Sequence, residues 1–166
     1  MVYFLKTAYL LCLVTTIFCQ LLSADIVEIR LQIDNMVCPF CGRSCIDDLK
    51  RIPGVEDAKV WPGDGLAVVV WKPDHVFQSV KLYRSFADSH FLLKIIDIDV
   101  EGIIEMKKGA MTLRSEPDNS IFYIDNREDR RVSKFEDGQL VHIQGQVYNQ
   151  SGFNFLVIKD ILPTIK

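Results

Sequence analysis

The chain has 166 residues, with 19 Lys and Arg against 22 Asp and Glu and a formal net charge of -3. That mild acidic excess, with no Lys/Arg-rich stretch, argues against a nucleic-acid partner, whose phosphates demand a basic surface.

Lys6 is followed by the apolar run TAYLLCLVTTIFCQLL and then by SAD. A basic start, an apolar middle and small residues before a cut are the order of a secretory signal peptide, so residues 1–24 are expected to be removed after Ala24. The run is short for a membrane span and no basic stop-transfer cluster follows, so no stable membrane insertion is expected after cleavage. An uncleaved anchor is the alternative. The mature chain is expected in the periplasm or secreted. Cleavage removes Lys6, Cys12 and Cys19 and leaves Cys38, Cys41 and Cys45. An odd number of thiols cannot all be paired in a disulfide scaffold.

Residues 26–98 read as one α+β unit. IVEIRLQI alternates as a strand. From Pro39 to Arg51 the pattern turns helical, with Cys41, Cys45, Ile46 and Leu49 near one face, and PGV ends it. VEDAKV and GLAVVVW form two strands about the WPGDG turn. Asp74 is placed to cap a second helix running to about Asp88, with Val76, Phe77, Val80, Tyr83 and Phe86 at helical spacing. FLLKIIDI closes the unit, so the expected order is ferredoxin-like, βαββαβ. Residues 99–166 hold five short strand patterns, VEGIIEMK, AMTLRS, SIFYID, LVHIQGQVY and FNFLVIKDIL, with polar turns between them. They predict a second, small all-β barrel. Gly102 and Gly145 inside strand patterns suit bulges or tight bends. Phe122 and the aromatics Tyr123, Tyr148, Phe153 and Phe155 are expected mostly in the barrel's core.

The chemistry is concentrated in DNMVCPFCGRSC, Asp34 to Cys45. A C-x-x-C at a helix start puts thiols beside unpaired backbone N–H groups and the positive end of the helix dipole, which favours thiolates. Two close thiolates suit Cu(I) or Hg(II), or part of a tetrahedral Zn(II) site. The same electrostatics serve a redox dithiol.

MVCPFC, the helix after it, IPGVEDAKV and LAVVVW together resemble the heavy-metal-associated domain of copper chaperones, metal-pumping ATPases and periplasmic mercury-binding proteins. Met36, Cys38, Cys41, Gly54 and Val55 match the pattern, while Asn35 stands where that family has glycine. The resemblance covers about 70 residues. It implies a βαββαβ fold, a metal held by Cys38 and Cys41, Met36 turned inward to brace the loop, and metal exchange with a partner protein or a membrane metal transporter. Cys45 falls where the family has an apolar core residue. Its expected state is a buried thiol, with a third metal ligand or a resolving thiol as the alternative. His90 falls near the metal loop, where it would complete or tune the site, or else be merely solvated. His75 and His142 have no cysteine neighbour in sequence.

CPFC also resembles the glutaredoxin active-site sequence, which implies thiol–disulfide exchange through Cys38 and Cys41. The proline-containing element that accompanies that site is missing from the sequence. The C-terminal strands weakly resemble an OB-fold domain of exported bacterial proteins, which implies a scaffold or docking module. No hydrolase or phosphate-binding motif is present, so the expected protein is a binder.

Overall fold

The computed structural model describes residues 26–36, 38, 40–87, 89–107, 109–116, 118–125 and 129–164. The expected signal peptide, with Cys12, Cys19 and the cut after Ala24, lies outside the described residues.

Alternation in β1 (Ile26–Asp34) buries Ile29, Leu31 and Ile33 and leaves Arg30 exposed. β1 pairs antiparallel on one side with β3 (Leu66–Trp71) and on the other with β4 (Leu92–Lys107). β2 (Val55–Trp61) adds antiparallel to β3 and forms the open edge of the sheet. That edge carries Glu56, Lys59 and the Lys50–Asp57 ion pair, and charge of this kind discourages edge-to-edge pairing. Two helices supply the apolar cover. α1 (Cys41–Lys50) buries Gly42, Cys45 and Leu49, and α2 (Ser79–Ala87) buries Ser79, Leu82 and Phe86. Three- and four-residue steps put each set on one helical face.

β4 is the pivot of the molecule. Its 16 residues pair with β1 along the first half and with β5 (Ala110–Ser115) along the second. Its other side pairs with β7 (Leu140–Gln150). β6 (Ile121–Ile124) and β8 (Phe153–Leu162) complete a closed five-strand barrel in the order β4-β5-β6-β8-β7, with β6 and β8 parallel. Leu113, Phe122, Ile143 and Leu156 fill its interior, none of them exposed at all. Gly102 and Gly145 mark its tight places. A Cβ on Gly102 would stand 2.6 Å from the Arg114 carbonyl oxygen, and one on Gly145 2.6 Å from that of Val157. Gly145 also sits at a register shift between β7 and β8.

The ferredoxin-like βαββαβ class expected from the sequence is overturned. Among the described residues strands predominate, at 52% of the structure, only two α-helices are present, and the closed barrel dominates the architecture. The reason lies in β4. All the described strands belong to one eight-stranded sheet, and the boundary drawn at 98/99 falls inside a continuous strand. One hydrophobic core cluster runs from Ile26 to Ile158.

The second helix also starts later than its sequence pattern suggests. Asp74 caps nothing there: its carboxylate accepts from His75 Nδ1 at 2.8 Å. Phe77, fully buried, lies outside the helix, stacks on Phe122 at 5.7 Å and meets Trp71 edge-on at 5.2 Å. The start of α2 is capped from the barrel. Asn154 Oδ1 accepts from the Ser79 N–H at 2.9 Å and from its hydroxyl at 2.7 Å, and Asn154 Nδ2 donates to the Phe77 carbonyl at 3.0 Å. The Phe77 N–H donates to Ser120 Oγ at 2.7 Å.

Of the barrel aromatics, only Phe122 is a core residue. Tyr123, Phe155 and Tyr148 face one another across β6, β8 and β7 on the outer wall, with ring centroids 5.6 and 5.4 Å apart, and Phe153 is 53% exposed.

Candidate functional site

β1 delivers the chain to the thiols through a sharp turn. Asn35 has φ 70, a left-handed conformation that asparagine tolerates better than most residues. Its side-chain amide donates to the His90 carbonyl at 3.3 Å, so the segment before β4 lies beside this loop. Met36 then turns inward and is 3% exposed.

Cys38 and Cys41 lie together at the start of α1, joined by a disulfide with Cα atoms 5.2 Å apart. The Cys41 N–H points back at the pair and donates to Cys38 Sγ at 3.0 Å. The first turn of α1 contains no acidic residue, so nothing there opposes the positive end of the helix dipole. Once the bond is reduced, these features stabilise negative charge on sulfur. Between the two cysteines, Phe40 projects into solvent, 86% exposed. Nothing in the sequence pattern marks this exposure, because helical periodicity does not reach a residue just before the first turn.

Cys45 sits one turn further along and faces the core. Its thiol is free, with no exposed surface, and burial pushes its pKa up to about 12, with the Asp48 charge adding to the effect. At neutral pH it is an uncharged, inaccessible thiol, so the structure separates it chemically from the two cysteines above it.

Of the histidines, His90 is exposed and close to the loop through its backbone. His75 is held against Asp74. His142 is buried on the barrel, bonded to Asp99 through Nε2 and to the Pro163 carbonyl through Nδ1 at 3.2 Å. Among the described residues, no group of three or more His, Cys, Asp or Glu side chains could hold a metal ion. Once the disulfide is reduced, the loop offers two sulfur donors, a number that two-coordinate soft ions accept.

No family model, no curated protein and no solved structure matches this chain. Among the described residues, no helix is long and apolar enough to cross a membrane.

Proposed function

We propose that the protein, in its reduced form, binds one soft metal ion between the thiolates of Cys38 and Cys41 for transport, scavenging or delivery. Cu(I) is the first choice, Hg(II) the second and Zn(II) the third. Softness and a two-sulfur donor set favour the first two, whereas a closed zinc site wants four ligands. The observation that carries this reading is the convergence, among the described residues, of the Cys38 and Cys41 sulfurs at the start of α1 while Cys45 is withdrawn into the core. The likeness of Met36, Cys38, Cys41, Gly54 and Val55 to the heavy-metal-associated pattern supports it at the level of the motif. In the periplasm or outside the cell, the Cys38–Cys41 disulfide would block the site, so loading requires a reducing partner or prior metal occupancy. Phe40 offers an apolar contact to the protein or membrane transporter that exchanges the metal, and the barrel serves as scaffold or docking module.

Anaerobic titration of the reduced protein with Cu(I), read by thiolate-to-metal charge-transfer absorption, tests this. Saturation at one equivalent is expected, and its loss in the C38S/C41S double variant. Equal affinity in that variant would sink the proposal.

The disulfide itself favours a second reading, thiol–disulfide exchange through the same pair. Glutathione- or insulin-linked reductase activity is expected to be negligible. Turnover at the rate of a true glutaredoxin, lost in Cys38→Ser, would reverse the order of the two readings.

A further inference from the structure

A groove runs between the C-terminal end of α1 and the outer face of α2, enclosing about 480 Å³. Arg51, Lys81 and Arg84 supply three cations to its walls, against one carboxylate, Asp48. Asp48 is taken up by Arg51 at 3.2 Å. Lys81 and Arg84, three positions apart and therefore on one side of α2, take part in no ion pair among the described residues. In a chain of net charge -3 this is a local reversal of sign. Pro53 is exposed along the groove with Ile52, 5% exposed, packed beneath it, and the Ser85 hydroxyl is spent on the Leu82 carbonyl at 2.9 Å.

We infer that this groove docks an acidic segment of a partner protein, with carboxylates against Lys81 and Arg84 and an apolar side chain against Pro53 and the aliphatic stems beside it. The groove is open along its length, so a small anion bound there stays hydrated and screened and gains little. A peptide combines the charge contacts with apolar burial, and the complementary charge also speeds its encounter. α1 extends about 15 Å from Cys41 to its last turn, which places the groove at the far end of the helix from the thiols. An occupant therefore leaves Cys38 and Cys41 open, and the inference does not depend on what those thiols bind.

The test uses the full metal-free, disulfide-bonded chain, ¹⁵N-labelled, titrated with a short synthetic peptide of glutamates around one leucine. Shifts centred on Arg51, Ile52, Lys81 and Arg84 are expected, weakening as salt is added. Affinity should fall about tenfold or more in K81Q/R84Q. Should that double variant lose helical circular dichroism, R84Q alone is read instead, since Arg84 is exposed and its neutralisation leaves packing intact. Shifts mapping elsewhere, unchanged affinity in the variant, or citrate binding as tightly as the peptide would each overturn the inference, the last by making the groove a small-anion site.

Discussion

At Cys45, one methylene thiol separates two chemistries carried by the same helix. Its neighbour Cys41, one turn earlier, is partly exposed and bonded to Cys38, whereas Cys45 has no exposed surface. Folding holds its thiol in the neutral form: its pKa rises from 9.0 to about 12, mainly through burial. The sign of the linkage follows. Below pH 9.0 the thiol is protonated in both states and the shift has no effect. As pH rises toward 12 the unfolded chain releases this proton and the folded chain does not, so stability falls. Cys45→Val, which keeps an apolar side chain of similar size, should leave Cu(I) affinity unchanged and flatten that alkaline loss. Urea midpoints of parent and variant, measured at neutral pH and at about pH 10, check this. A variant that lost metal affinity would return Cys45 to the ligand set. Burial of this residue was legible beforehand, because helical periodicity already asked for a small apolar group at its position. The exposure of Phe40 was not, since periodicity says nothing about a loop residue just before the first turn.

Among the elements, α2 shows how a correct pattern gives a wrong boundary. Asp74 precedes a run of apolar residues at helical spacing, which is a sound local signal for a helix start. The chain spends those residues differently. Phe77 enters the barrel against Phe122, and the cap comes from Asn154, 75 positions after Ser79. Backbone groups of a buried helix start must be satisfied by something, and local sequence does not reveal a partner that far away. Asn154→Ala leaves the Ser79 N–H and the Phe77 carbonyl without that partner, at a cost of about 1–3 kcal/mol for each buried group left unpaired. The expected result is a lower urea midpoint with an unchanged slope, and faster amide exchange in the first turn of α2. An unaltered midpoint would mean that water or another residue replaces the amide.

For the whole molecule, the decisive fact is that β4 belongs to both the four-stranded region and the barrel. With one core cluster across both and the Phe77–Asn154 contacts tying them together, the chain should unfold as a single cooperative unit. Trp61 and Trp71 report on one part, Tyr123 and Tyr148 on the other. Tryptophan fluorescence and tyrosine near-ultraviolet signals are therefore expected to give coincident denaturant transitions. Two separated transitions would show independent domains. Local chemistry in the sequence was sufficient to mark most of the strand segments, the α1 start beside the cysteines and the inward face of Cys45, because alternation, helical spacing and the glycine-bearing turns act over a few residues. That the strand patterns on either side of Ile98 are one continuous strand, and that Asn154 caps α2, were decided only by tertiary structure. Strand pairing and side-chain convergence join residues tens of positions apart, and no short-range pattern carries that information.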